Sequence, residues 1–238
     1  MLWSLLALGI TALSLALLGL AGPAYRLGLS LGSAYQIIIW TSHIAGVAAL
    51  GAIAIAVFAY RARNWMKLAV AGVAIIIGLT SFAIGFNAQL RREHSPAIHD
   101  VTTDLDNPPT FTAVIARRAN APNRLDRTQG LAELQRQGYP DLAPVTIPAR
   151  PEQTFDRALG AAQSLGWEIV TADKSSGRIE ATHTTRWFGF VDDVVVRLTP
   201  WGTGTRIDVR SVSRTGVGDA GRNADRIRRF ITQLQRSS

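Results

Sequence analysis

The thirteen residues His99–Phe111 crowd together side chains able to do chemistry. They hold the carboxylates of Asp100, Asp104 and Asp106, the hydroxyls of Thr102 and Thr103, the amide of Asn107 and the imidazole of His99, closed by Pro108-Pro109. Oxygen donors of this kind suit Ca²⁺. The spacing is not that of an EF-hand loop, however, and no bidentate Glu follows at the required distance, so no metal is expected. His99 next to Asp100 has the composition of a general base with its orienting carboxylate. Sequence neighbours rarely point the same way. The plainer reading is an ordered connector whose Asp, Thr and Asn side chains bond nearby backbone amides.

Two further groups stand out. Arg186-Trp187-Phe188-Gly189-Phe190 joins two expected strands just before Asp192-Asp193. These aromatics either plug a sheet end, with Arg186 pairing to an Asp, or rest at a lipid interface, where aromatics are favoured. Arg206, Asp208, Arg210 and Arg214 fall on one face of the last strand, opposite Ile207, Val209, Ser211 and Ser213. With Arg222, Arg226, Arg228 and Arg229 they make the C-terminal region basic, in keeping with a pI near 10.9. Nucleic acid is the reflex partner for such a region. A domain outside the cytoplasm, with acids interspersed, argues for no nucleic acid and favours anionic lipid headgroups; a solvated face with internal ion pairs is the plainer alternative. The candidate binding site is therefore His99, Asp100, Thr103, Asp104, Asn107, Arg186, Asp192, Asp193 and Arg210. Any site formed by the opening stretch should lie at the membrane-proximal edge, near Asp192 and Asp193. No P-loop, dinucleotide fingerprint, HExxH or GxSxG is present, and Gly202-Thr203-Gly204 reads as a hairpin turn.

The elements that must position these residues divide sharply by charge. Residues 1–90 contain four basic side chains (Arg26, Arg61, Arg63, Lys67) and no acid, whereas residues 91–238 hold the remaining 21 bases and all 17 acids. Three apolar runs, Leu2–Leu20, Ile37–Tyr60 and Leu68–Phe86, each reach the ~20 residues needed to cross a bilayer. The first lacks a basic leader and a small-x-small cleavage pattern, so a retained helix is expected. The three positive charges in Arg61–Lys67, against the lone Arg26, put that turn in the cytoplasm and the soluble domain outside. Arg91 and Arg92 argue the other way. Ala45/Ala49 and Ala48/Ala52/Ala56 recur every fourth residue, a spacing that lets helices pack closely in a three-helix bundle. His43 lies inside a span. It is read either as part of a haem, metal or quinone site or, more plainly, as a neutral histidine bonded to a neighbouring helix; no cofactor is expected. The chain has no cysteine, which excludes disulfides and thiol chemistry.

Past residue 90, a polar connector over 91–144 ends a polar segment at Thr128 and carries a short helix near Gly130–Gln137. From Val145 the periodicities give a strand (Val145–Ile147), a helix (Pro151–Leu165), strands at Trp167–Ala172, Arg178–Thr185, Val191–Leu198 and Thr205–Arg214, and a helix from Asp219 to Leu234. The order β-α-β-β-β-β-α implies an antiparallel sheet over 145–238 with helices on one face, an α+β domain behind a three-helix transmembrane anchor.

Ile98-His99-Asp100-Val101-Thr102-Thr103-Asp104-Leu105-Asp106-Asn107-Pro108-Pro109 resembles the opening signature of the bacterial family called domain of unknown function 1499. Two later blocks resemble it in order. One is Gly177–Thr182 continuing through Arg186–Arg197, and the other is Arg206–Arg214 followed by Gly218–Ile227. The resemblance covers about residues 95–235 and implies a membrane-linked envelope domain without assigned activity. The expected protein is thus an inner-membrane, multi-pass envelope protein with a periplasmic domain that binds lipid, a lipid-like molecule or a partner complex. The alternative is a hydrolase-like envelope enzyme using His99 with Asp100 or Asp104, or Asp192 with Asp193.

Overall fold

The charge-poor apolar runs fold as three long helices: α1 (Leu2–Arg26), α2 (Leu31–Arg61) and α3 (Trp65–His94), each long and apolar enough to cross a membrane. The computed structural model describes residues 1–127 and 130–236; the expected polar-segment end at Thr128 lies outside them. Ser30 caps α2 by accepting from the Ser33 amide at 3.0 Å, and Asn64 caps α3 by accepting from the Lys67 amide at 3.0 Å. The helices meet through small residues. A Cβ on Gly78 of α3 would stand 2.7 Å from the Ala45 carbonyl oxygen and 2.8 Å from the Ala49 Cβ of α2, and one on Gly85 would overlap the Ser42 side chain. Ala45 and Ala49 thus form the α2–α3 seam; Ala52 is buried as well, while Ala48 and Ala56 are half-buried. Some hydroxyls within the spans return to their own helix: Ser42 donates to the Ile38 carbonyl at 2.6 Å and Ser81 to that of Ile77 at 2.8 Å. His43 does the same, with Nδ1 2.7 Å from the Ile39 carbonyl oxygen. The expected bond from His43 to a neighbouring helix is therefore not made, because a carbonyl one turn back is nearer.

Trp187–Gly189 belongs with this helical unit. Phe188 is buried, its ring centroid 5.7 Å from that of Tyr25 and 6.1 Å from that of Tyr35. The Trp187 indole fits where Gly22 has no side chain and donates to the Gly19 carbonyl at 2.9 Å. The two aromatics therefore neither plug a sheet end nor stand free for lipid: α1 and α2 already sequester them.

The second unit is built on a six-stranded antiparallel sheet of β1 (Asp100–Thr102), β2 (Val145–Ile147), β3 (Glu168–Asp173), β4 (Arg178–Thr184), β5 (Val191–Trp201) and β6 (Gly204–Ser213). Its order is β1-β6-β5-β4-β3, with β2 also pairing to β6, so two three-residue strands share one edge. Strands β5 and β6 run further than their apolar alternation, to a two-residue turn with Trp201 opposite Gly204. Helices α4 (Leu131–Gly138), α5 (Pro151–Ser164) and α6 (Arg222–Arg236) complete the unit. One sheet face, bearing Ile179, Ala181, Val194, Val196, Leu198, Ile207 and Val209, packs in a single core with Phe155, Ala158 and Ala162 of α5 and Ala224, Ile227 and Phe230 of α6. Trp167 stacks on Phe230 at 5.1 Å. The α+β architecture with helices on one face is thus present. Two things exceed the expected pattern: the signature stretch itself supplies β1, and the second face is covered. Phe111 and Val114 pack there on Val195 and Val212, with the 3-10 helix Ala113–Arg118 laid over the sheet.

Candidate functional site

Alternation along β5 and β6 sends Asp193, Arg197, Arg206, Asp208, Arg210 and Arg214 to the covered second face, and four carboxylates are buried beneath the covering segment: Asp100, Glu180, Asp193 and Asp208. Each has cationic partners. Arg210 grips Asp100 through two bonds, Nε to Oδ1 at 3.0 Å and Nη2 to Oδ2 at 2.8 Å, and Arg127 adds a third at 2.9 Å. Arg210 Nη1 also donates to the Pro109 carbonyl at 3.2 Å, and its guanidinium lies 5.3 Å from the Phe111 ring centroid. Asp193 takes two bonds from Arg214, at 2.8 and 3.0 Å, and one from Arg118. Asp104 and Asp208 close a ring with two guanidiniums: Arg197 reaches them at 2.9 and 2.8 Å, Arg206 at 2.8 and 3.0 Å. Glu180 accepts from the Thr112 amide and hydroxyl at 2.8 and 2.6 Å and from the Val114 amide at 2.9 Å. Bidentate guanidinium–carboxylate pairs are directional, and here they fasten the signature segment to the sheet.

The structure brings two pairs of the sequence-predicted residues together, Asp100 with Arg210 and Asp104 with Asn107, and does not gather the nine at one place. Thr103 is buried and exchanges bonds with β6, its amide donating to the Val209 carbonyl and its hydroxyl accepting from the Val209 amide, both at 2.9 Å. Asn107 is exposed and donates its amide to Asp104 at 3.0 Å. Among the described residues His99 Nδ1 reaches the Val217 carbonyl oxygen alone, at 3.4 Å, and makes no bond to Asp100. Arg186 is exposed in the β4–β5 loop. Asp192 and Asp193 point to opposite faces, as strand neighbours must. The basic face of β6 is not a free cationic surface, since Arg206, Arg210 and Arg214 spend their charge on carboxylates within the domain.

On the helix face, Asp192 opens a different network that joins the sheet to α6. Arg226 donates to Asp192, to the Ser211 hydroxyl at 3.0 Å and to Asn223 Oδ1. Asn223 Nδ2 donates to the Ser213 hydroxyl at 2.9 Å and to the His99 carbonyl at 3.1 Å. Asp219 caps the helix, accepting from the Gly221 and Asn223 amides. Burial pushes the Asp219 carboxyl up, against those two bonds. His183, the cross-strand partner of Asp192, stands beside Arg226 with Nδ1 3.3 Å from Nη2. Because guanidinium can only donate, Nδ1 accepts and the imidazole proton sits on Nε2. Burial first, and Arg226 next, hold His183 below the ordinary histidine value; Arg229 and Arg222 act in the same sense, and Asp192 opposes.

Arg222, Arg226 and Arg229 recur at i, i+4 and i+7, one stripe of α6. Arg226 is buried and paired, whereas Arg222 and Arg229 are exposed and form no ion pair among the described residues. Arg228, one position off the stripe, pairs instead with Asp141 and Asp225. His183 was legible only as a third position on the β4 face shared by Ile179 and Ala181; a histidine in an apolar register opposite an aspartate was the available signal. Two exposed guanidiniums flanking a half-buried imidazole N–H donor form a set able to hold an anion.

Comparison with curated proteins finds no match. The model of the family described as "Protein of unknown function (DUF1499)" matches residues 100–234, from the first residue of β1 into the last turns of α6. That match takes in both faces of the sheet and more than half of the chain, so the chain belongs to the domain of unknown function 1499 family.

Proposed function

We propose that this membrane-anchored protein is a binding module whose sheet domain takes an anionic group, of the kind carried by a phospholipid headgroup, at Arg222, Arg229 and His183 on α6 and β4. The observation that carries the reading is the pair of exposed guanidiniums flanking Arg226, left over when Arg206, Arg210, Arg214, Arg226 and Arg228 are matched to carboxylates. The candidate carboxylates of an enzyme reading, Asp100, Asp104, Asp192 and Asp193, each hold a guanidinium in separate places along the sheet, an arrangement that favours binding over hydrolysis. We place the domain on the periplasmic side of an inner membrane, a reading that the basic Arg61–Lys67 turn supports.

Two measurements test the proposal. A reporter fused after Ser238 should be active only outside the cytoplasm; cytoplasmic activity overturns the periplasmic placement. The full chain in nanodiscs containing phosphatidylglycerol should show slower hydrogen exchange at the α6 amides than in phosphatidylcholine alone. The Arg222→Ala, Arg229→Ala double variant should lose the difference. Equal exchange in the two lipids overturns anionic headgroup binding, and the same protection from inorganic phosphate in phosphatidylcholine would make a free phosphate the ligand.

A further inference from the structure

Pro23 stands inside α1, four residues after Gly19. Proline has no amide hydrogen, so the Gly19 carbonyl lacks the donor that a helix interior supplies one turn on, and the proline ring crowds that oxygen as well. Gly19 is exposed on the flank of the helix, at the end of the first apolar run. A carbonyl without a donor in hydrocarbon is strongly disfavoured.

The missing donor arrives from far along the chain. The Trp187 indole donates to the Gly19 oxygen at 2.9 Å, and it fits because Gly22 is bare: a Cβ there would overlap the indole and stand 2.6 Å from the Trp187 carbonyl oxygen. Phe188 fills the adjoining space against Tyr25 and Tyr35, its ring 4.9 Å from that of Trp187. Gly189 turns the chain back at φ 71°. Gly19, Gly22 and Pro23 thus make one socket, with Trp187 seated in it. Tyr and Trp side chains gather where hydrocarbon meets headgroups, which puts the Gly19 oxygen near that boundary. Water reaches such a depth in a thin bilayer and is excluded in a thick one. The tongue leads back to the ends of β4 and β5, where Thr184 pairs with Val191 and His183 with Asp192.

We infer that Trp187–Gly189 is a clasp that responds to bilayer thickness. In a thick bilayer, release would strand the Gly19 carbonyl in hydrocarbon, and the clasp stays shut. In a thin bilayer water donates to the same oxygen, and the β4–β5 loop comes free of α1. Pro23 makes the device, because an amide at that position would let the helix satisfy its own carbonyl and leave the indole to packing alone. The clasp needs no anion at α6 and stands apart from the headgroup reading.

The test uses the full chain in nanodiscs of dilauroylphosphatidylcholine, a thin bilayer, or dierucoylphosphatidylcholine, a thick one. Tryptic cleavage after Arg186, exposed at the foot of the tongue, reports release, and cleavage after the exposed Lys174 in the β3–β4 turn is the reference. The Arg186 rate relative to the Lys174 rate should be several-fold higher in the thin bilayer. In the thick bilayer Trp187→Phe should raise it about tenfold, the loss expected for one hydrogen bond. Pro23→Ala should raise it too. On that background Trp187→Phe should add little, and thickness should no longer matter. Equal relative rates in the two bilayers, or a Trp187→Phe effect undiminished by Pro23→Ala, overturns the inference. Should a variant fail to fold, the Trp187 indole proton of the parent chain decides: slower solvent exchange in the thick bilayer supports the clasp, and equal exchange overturns it.

Discussion

Asp100 sits at the start of β1 with two guanidiniums fastened to it, one from β6 and one from the covering segment. Removing that carboxylate strands buried positive charge rather than deleting one bond. Asp100→Ala should therefore cost about 3–5 kcal/mol, the range for breaking a buried pair from one side. The check is hydrogen exchange at the β6 amides of the full chain, which should accelerate accordingly; exchange as slow as in the parent chain would show that Arg210 finds another partner. His183 makes a prediction of opposite sign to that of a histidine held in a salt bridge. Its folded value is depressed by burial and by Arg226, so the unfolded chain binds the proton more tightly and stability falls as pH drops below the ordinary histidine value of 6.5. The loss should level off once the folded imidazole is also protonated. His183→Gln should flatten this slope in melts recorded between neutral and mildly acid pH.

At the scale of elements, the strands with clean alternation were legible: Val191–Leu198 and Thr205–Arg214 coincide with the cores of β5 and β6, and the helical periods of Pro151–Leu165 and the C-terminal segment with α5 and α6. β1 was not. Its three residues are all buried, yet Asp100 and Thr102 give no apolar period, and the backbone bonds that hold the stretch to the sheet come from Val209 and Ser213, more than a hundred positions later. The charged face of β6 misled for the same reason, since a run of Arg and Asp reads as solvated until its distant cover is known. His183 and Arg226 likewise meet across 43 positions. In the helical unit the four-residue alanine spacing did announce a seam, and Gly78 and Gly85 show why it closes. Gly85→Leu would drive a branched side chain into Ser42, so it should separate α2 from α3 and sharply reduce the yield of folded protein in detergent, whereas Gly72→Leu, where a Cβ meets nothing, should not.

For the molecule as a whole, the decisive arrangement is an open sheet carried on a chain with three membrane-length helices. Anchoring in a bilayer confines copies to a plane, where they meet in similar orientation far more often than they would in bulk solution. An open sheet is most exposed to self-association under those conditions, because an unpaired strand edge is a template for the next copy. One edge here is split between β1 and β2, each only three residues long. The other is β3, whose pairing with β4 slips between Ile169 and Thr171. The slip takes Val170 out of register, and acids stand at both ends of the strand. Deleting Val170 should straighten that edge, and cross-linking in densely loaded vesicles should then trap sheet-to-sheet ladders absent from the parent chain. One irregular residue in β3 would thus set how densely the protein can populate a membrane before it begins to polymerise.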